Sequence, residues 1–278
     1  MAQFRTRFAP SPTGYLHIGH AASAFHVWDA AEAAGGDVIL RIEDIDQTRC
    51  RPEFEEAILE DLAWLGLSWS GDIRRQSEHY PDYAEVLEAL AVRHIIYRCF
   101  RTRKEILAEI DRAPHGAPAV FIGEPLSEDE EMSRIQDGQA YAWRLSLERA
   151  QNALGSAYDG LGFRESDRGW QQAEPGAFGD VVLARKDTPT SYHLATTHDD
   201  ALQAVTHIVR GDDLFLSTSV HVLLQALMGW PTPTYQHHAL LLDDAGKRFA
   251  KRDKSTTLRA MRKDGLTPDD IRRLAEAA

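Results

Sequence analysis

Residues 4–9 alternate apolar and polar side chains before breaking at Pro10-Ser11-Pro12-Thr13-Gly14, the pattern of a strand running into a turn. From Gly19 to Ala34 the side chains are mostly small and apolar (Ala21, Ala22, Ala24, Phe25, Val27, Trp28), which predicts a buried helix ended by Gly35-Gly36. Residues 38–42 form a compact apolar strand, and Phe54, Ala57, Ile58, Leu62 and Leu65 recur on one helical face. The order strand, helix, strand, helix implies a parallel sheet with right-handed crossovers.

Residues 98–172 have weaker periodicity, with Pro, Gly and an acidic run at Ser127-Glu128-Asp129-Glu130-Glu131; 140–147 is a candidate strand within them. Buried-strand character returns at 180–184, 192–196 and 205–210. A helix is predicted over 218–229, with Val220, Leu223, Leu224 and Leu227 inward, and a short apolar strand at 239–242. Residues 258–278 read as helices, with Thr267-Pro268-Asp269-Asp270 forming an N-cap and first turn. The expected fold class is α/β: a Rossmann-type doubly wound parallel sheet with an inserted α+β domain and a short C-terminal helical segment. The expected division is 1–97 and 176–236 for the two halves of the sheet domain, 98–175 for the insertion, and 237–278 for a basic loop and the last helices.

Composition narrows the function classes. The 278 residues are 43% hydrophobic and 27% charged, ordinary for a globular chain. No apolar run approaches the roughly 18 residues needed to span a membrane, and the first residues carry no apolar signal core. Two cysteines, Cys50 and Cys99, cannot form a disulfide framework, so a reducing compartment, the cytoplasm, is expected. A net charge of −12 argues against non-specific coating of nucleic acid. It leaves room for a local basic surface, at Arg98, Arg101, Arg103 and Lys104 or at Lys247, Arg248, Lys251, Arg252 and Lys254, although either run also reads as a solvated face.

The chemistry begins at His17-Ile18-Gly19-His20, where the first strand-turn hands over to the first helix. A doubly wound sheet binds nucleotides there, and a helix N-terminus presents free N–H groups to phosphate. Two imidazoles, with Gly19 admitting the ligand to the backbone, can hydrogen-bond a phosphate in its transition state. The alternative is a pair of satisfied histidines at a helix start. No Ser-His-Asp or Cys-His set is evident.

The stretch from Arg7 to His20 (RFAPSPTGYLHIGH) closely resembles the signature that opens glutamyl-tRNA synthetases. Arg41-Ile42-Glu43-Asp44-Ile45-Asp46 and Val205-Thr206-His207-Ile208-Val209-Arg210-Gly211-Asp212-Asp213 resemble that family's second and third blocks. Lys247-Arg248-Phe249-Ala250-Lys251-Arg252 lies where its KMSKS-type loop belongs. Only residues 253–278 follow, without the large helical anticodon-binding region of those enzymes. That pattern resembles the truncated glutamyl-Q tRNA(Asp) synthetase branch. The resemblance implies tRNA-independent activation of glutamate by ATP with Mg²⁺, and transfer to the queuosine in the anticodon stem-loop of tRNA(Asp). A monomer without a membrane partner is expected.

Within that resemblance, Arg7 and Arg210 are the natural partners of the glutamate carboxylates, since a guanidinium pairs bidentately with them; structural salt bridges are the alternative. Glu43 is the expected ammonium acceptor, with Ser11 and the backbone of Phe8, Ala9 and Pro10 completing the pocket. Tyr192, at the start of a predicted strand, matches the family's glutamate-contacting tyrosine. Asp44 and Asp46 read as structural or capping residues, with a magnesium role open. His17, Gly19, His20, Arg248 and Lys251 are expected on ATP, with His17, His20 and Lys251 in catalytic roles.

Two departures stand out. Ala250 replaces the hydroxyl residue common before the second lysine of the loop. Many relatives carry a four-ligand zinc site in the insertion, but here Cys99-Phe100-Arg101 retains one cysteine, and Phe121 and Pro125 stand where later ligands would be. No zinc, and no other protein-held metal, is expected. Three rival readings remain: a truncated glutamyl-tRNA synthetase charging a tRNA 3′ end, a nucleotidyltransferase acting on a small metabolite, and an inactive tRNA-binding module.

Overall fold

A computed structural model describes residues 3–112, 120–241 and 257–277. The first half contains β1 (Arg5–Phe8), α1 (Ile18–Ala34), β2 (Asp37–Ile42), α2 (Pro52–Trp64), β3 (Arg74–Arg75), α3 (Tyr80–Val92) and β4 (Ile96–Cys99). The middle holds α4 (Arg103–Arg112), α5 (Glu128–Gln136), β5 (Ala142–Leu145), α6 (Leu147–Leu154), β6 (Gly162–Glu165), β7 (Gly169–Gln172) and β8 (Val182–Arg185). It ends with α7 (Tyr192–Leu202), β9 (His207–Gly211), α8 (Thr218–Met228), β10 (Thr234–His238), α9 (Leu258–Lys263) and α10 (Pro268–Ala277).

The main sheet is α/β and doubly wound. β1 runs parallel to β2, pairing Arg5 with Asp37 through Phe8 with Leu40, and β2 runs parallel to β3. On the other side, the Thr206 N–H donates to the Arg5 carbonyl at 2.9 Å and brings β9 alongside β1. β10 is parallel to β9, β6 is parallel to β10, and β7 closes the edge antiparallel to β6. The winding therefore reverses between β1 and β9, and the carboxyl ends of these strands open a crevice at that switch point.

Two apolar layers sandwich the sheet. One contains Ile18, Phe25, Ile58, Leu258 and Ile271 from α1, α2, α9 and α10; the other contains Tyr83, Ala150, Leu194 and Leu223 from α3, α6, α7 and α8. α1 ends where expected, because Gly35 takes the left-handed cap conformation at φ 60°. A Cβ at Gly36 would lie 2.4 Å from the Phe4 carbonyl oxygen, so glycine is what lets the chain turn into β2.

A second, antiparallel sheet joins β4, β5 and β8. Asp180 ties it together: its carboxylate accepts from the Tyr97 hydroxyl at 2.7 Å and from the backbone N–H of Gly123 and Leu147 at 2.9 Å. The β6–β7 hairpin, inside the stretch 98–175 expected as an insertion, pairs with β10 of the main sheet instead.

Two expected strands are different in the structure. Residues 192–196 open helix α7: Ser191 caps it by accepting from the Leu194 N–H at 3.3 Å, and the burial expected of a strand is met on the helix by Leu194, Ala195 and Thr196. The strand expected over 239–242 is displaced to Thr234–His238, where β9 offers a backbone ladder; Ala239, Leu240 and Leu241 are apolar because they line a cleft. Leu242 lies outside the described residues. Among the described residues no helix is long and apolar enough to cross a membrane.

Candidate active site

A cleft of about 680 Å³ opens at the switch point, lined on its inner side by Ser11, Glu43, Gln76, Tyr192 and His193. Behind it lies a buried quartet of charges. The Arg7 Nε donates to Asp200 Oδ1 at 2.9 Å, and the Arg41 Nη2 donates to the same oxygen at 2.8 Å and to Glu43 Oε1 at 3.3 Å. Thr196 adds a hydroxyl donor to Glu43 Oε1 at 2.9 Å. Burial raises the Glu43 pKa, and Arg41 and Arg7 pull against that rise. Arg7 keeps Nη1 and Nη2 without a hydrogen bond among the described residues.

Arg210, at the end of β9, is equally buried but differently served. Its Nε donates to His237 Nε2 at 3.1 Å, its Nη1 reaches His221 Nδ1 at 3.3 Å and the Tyr192 hydroxyl at 3.5 Å, and its Nη2 donates to Thr218 Oγ1 at 2.6 Å and the Leu214 carbonyl at 3.1 Å. Among the described residues no carboxylate pairs with it directly. Burial, and after it the Arg210 charge, keep the surrounding rings neutral: the His193 pKa is pushed down to about 4, and that of His221 lies well below the ordinary value. The Tyr192 hydroxyl sits where the fields of Arg210, Glu43, Arg7 and Asp200 meet, and burial raises its pKa.

A second cleft, of about 260 Å³, lies on the other side of β9 and is lined by His17, Gly19, His20, Gly211, His238 and Leu241. His17 is the N-cap of α1. Its Nδ1 accepts from the Gly19 N–H at 3.1 Å, while His20 Nδ1 accepts from the His17 N–H at 3.2 Å. The two rings lie tilted by 34° with centroids 3.8 Å apart, and both imidazoles stand at the positive end of the helix dipole. Thr257 pairs with His17 across an isolated bridge, and the Leu258 N–H donates to the Leu16 carbonyl at 2.9 Å. Lys247, Arg248, Ala250 and Lys251 lie outside the described residues.

The residues expected at the site thus fall into three groups. Ser11, Glu43 and Tyr192 line the larger cleft, His17, Gly19 and His20 the smaller, and Arg7 and Arg210 stand behind Tyr192. Phe8 turns its ring into the core against Trp28, and the Pro10 carbonyl accepts from the Glu43 N–H at 3.1 Å, so the turn holds Glu43 in place. Asp44 accepts from the Ser77 N–H and hydroxyl across the fold, and Asp46 accepts from Thr48 and Arg49 in its own turn, so both are engaged. Burial lifts the Cys50 thiol to about 11, which makes it a poor nucleophile, and Cys99 is packed with Tyr97, Ile106 and Phe121. Arg98 pairs with Glu131 and lies over Trp143, so part of that basic run is structural. Sequence reasoning missed Arg41, Asp200, Thr196, His221, His237 and Glu165. An arginine within the apolar run of β2 was one available signal.

A crevice at a switch point, a capped helix start bearing two imidazoles, and an arginine-walled cleft define a nucleotide-using enzyme for an anionic substrate. A sequence model of the family described as tRNA synthetases class I (E and Q), catalytic domain, matches residues 3–274. The chain is 46% identical to the glutamyl-Q tRNA(Asp) synthetase of Rhodobacter capsulatus, covering 97% of this chain and 98% of that protein. It is 33% identical to the glutamate–tRNA ligase of Aquifex aeolicus, covering 98% of this chain and 56% of that protein. The solved glutamate tRNA ligase of Elizabethkingia meningosepticum, in complex with its amino acid, superposes with a TM-score of 0.74 at 29% identity; it covers 95% of this chain and 54% of its own, so the chain spans about half of that structure. The chain belongs to the class I tRNA synthetase family for E and Q. It is an ATP-dependent ligase of the aminoacyl-tRNA synthetase type.

Proposed function

We propose that the chain activates glutamate with ATP to glutamyl-adenylate, without needing tRNA for that step, and transfers the glutamyl group to the queuosine of tRNA(Asp). One observation carries the amino-acid assignment. Arg7 and Arg41 are paired with Asp200 and Glu43 in a buried wall, whereas Arg210 has no carboxylate within ion-pair distance among the described residues. Glutamate, with two carboxylates and one ammonium, supplies the balancing negative charge, whereas glutamine supplies none; an uncompensated buried charge is costly. In this reading Arg210 and Arg7 take the carboxylates, and Glu43 and Tyr192 orient the amino end, with Ser11 and the backbone of 8–10 at the rim.

In the smaller cleft, the α1 N-terminus with His17, Gly19 and His20 holds the triphosphate. The glutamate α-carboxylate attacks the α-phosphorus in line; a carboxylate–phosphorus bond forms, the α–β bridging bond breaks, and pyrophosphate leaves with the electron pair. His17, His20 and Lys251 stabilise that developing charge, with Arg248 on ATP. The described residues on either side of the basic loop support this role: Leu241 lines the cleft and Thr257 bridges to His17. An RNA hydroxyl then attacks the glutamyl carbonyl, AMP leaves, and the hydroxyl proton passes to solvent. Mg²⁺ travels with ATP on its phosphates and water, since Asp44 and Asp46 are engaged elsewhere. A zinc-free, monomeric, cytoplasmic protein completes the reading; about one zinc per chain by elemental analysis overturns the first of these.

Labelled-glutamate transfer to tRNA(Asp) with and without queuosine, followed by mapping of the labelled nucleotide, tests the acceptor. Label at the terminal adenosine, indifferent to queuosine, defeats it. The match, over 97% of this chain, to a protein named glutamyl-Q tRNA(Asp) synthetase favours this acceptor over a 3′ end. Lys251→Ala and His17→Ala are expected to slow ATP–pyrophosphate exchange on the order of 10²–10³-fold; unchanged exchange removes both residues from the mechanism.

A further inference from the structure

Arg210 is aimed from behind by two residues outside every motif described above. Its Nε–H donates to His237 Nε2, so that nitrogen carries a lone pair and a neutral ring keeps its proton on Nδ1. Nδ1 faces Glu165 Oε2 at 2.8 Å, and Glu165 Oε1 accepts the His237 backbone N–H at 2.7 Å. Both of Glu165's oxygens are therefore committed to one residue. The three groups come from three neighbouring strands: Glu165 on β6 lies opposite Tyr235, and His237 on β10 lies opposite Arg210 on β9. The Tyr235 ring stacks parallel to His237 at 5.9 Å, and Phe215 meets its edge at 5.1 Å, which fixes the imidazole plane. Glu165 is 1% and His237 6% exposed, so water does not compete for these bonds.

We propose that Glu165 and His237 are positioning residues for recognition of the substrate carboxylate: Glu165 fixes the Nδ1–H tautomer of His237, and His237 turns the Arg210 guanidinium toward Tyr192 without neutralising it. The proposal deepens the glutamate reading and rests on it. Its physical logic is the interposed ring. A carboxylate directly on Arg210 would orient it equally well but would supply the negative charge that the substrate must bring. A neutral imidazole supplies the lone pair alone, and the carboxylate that disciplines the imidazole stands one ring away.

The tautomer is the weak point of the device. In Glu165→Gln the side-chain oxygen can still accept the His237 backbone N–H, but the amide NH₂ then faces Nδ1 and donates to it. The ring proton moves to Nε2, where it confronts the Arg210 Nε–H donor to donor. His237→Asn reaches Glu165 but not Arg210, while His237→Gln can place a carbonyl oxygen near the Nε2 position.

The test reads the full-length chain in two ways. Histidine-labelled ¹⁵N NMR is expected to show His237 as the Nδ1–H tautomer in the wild type and as Nε2–H in Glu165→Gln. A wild-type Nε2–H ring, or an imidazolium, overturns the proposal whether or not the chain acts on glutamate. In ATP–pyrophosphate exchange, Glu165→Gln and His237→Asn are expected to raise the glutamate KM roughly ten- to thirtyfold, leave the ATP KM unchanged, and reduce discrimination against glutamine. His237→Gln is expected to recover most of the glutamate KM. Equal shifts in both KM values, tracking lost thermal stability, assign the pair to structure alone and overturn the proposal. Wild-type exchange that ignores glutamate defeats the functional reading, a result separable from the NMR outcome.

Discussion

The two sides of the larger cleft are built from the same residue type under opposite electrostatic rules. On the β1–β2 side, Arg7 and Arg41 converge on Asp200, and Arg41 also meets Glu43, so the guanidiniums are matched by carboxylates. On the β9–β10 side, Arg210 is surrounded by His237, His221, Tyr192, Thr218 and a carbonyl, all neutral acceptors. The first arrangement holds the wall together and poises Glu43. The second leaves a positive charge unanswered, which suits a surface that an anion must complete. A buried arginine is thus structural or receptive according to what its partners carry, not according to its burial.

The largest effect expected from breaking this contrast is at Asp200. Asp200→Asn leaves two buried guanidiniums facing one carboxylate, and chemical denaturation is expected to show a loss of about 3–5 kcal/mol. A loss below about 1 kcal/mol would mean the quartet does not hold the wall.

Arg210→Ala probes the other side and is expected to raise the glutamate requirement by roughly ten- to a hundredfold, the worth of a charge-assisted hydrogen bond. Its stability is expected to fall by about 1–3 kcal/mol, less than at Asp200, because buried acceptors such as His237 and the Leu214 carbonyl lose their donor while an unpaired buried charge is removed. A glutamate KM that stays put, with a large loss of stability, reverses the assignment of the two sides.

The smallest effect is in the acid range. His193 has a pKa pushed from 6.5 down to about 4, by burial first and Arg210 second. Between those values the unfolded chain binds a proton that the folded chain refuses, so stability falls as pH drops through the window and levels off below it. Over the first pH unit below the upper value the loss is about 1 kcal/mol, and His193→Asn is expected to flatten that part of the curve. An unchanged slope shows that His193 is not the group responsible.

Much of this was legible in the residues. Small apolar side chains from Ala21 to Val27, the glycine pair Gly35-Gly36, and the compact run at 38–42 placed the first crossover correctly, because each local preference agrees with the tertiary environment. The segment 192–196 reads as a buried strand, but its burial belongs to a helix whose inward side carries Thr196, Asp199 and Asp200. They are buried because they serve Glu43, Arg7, Arg41 and Arg74. Local patterning cannot distinguish a polar residue facing water from one facing a buried charge.

The sequence by itself determined the kind of fold, the helix start that carries His17 and His20, and the residue types that line the two clefts. Tertiary structure decided which arginine, among the described residues, has no carboxylate partner. Arg7 and Arg210 look alike along the chain, and they diverge only when α7 brings Asp200 to one and β6 and β10 bring Glu165 and His237 behind the other. Electrostatic roles depend on distances across non-adjacent elements, which no single segment encodes.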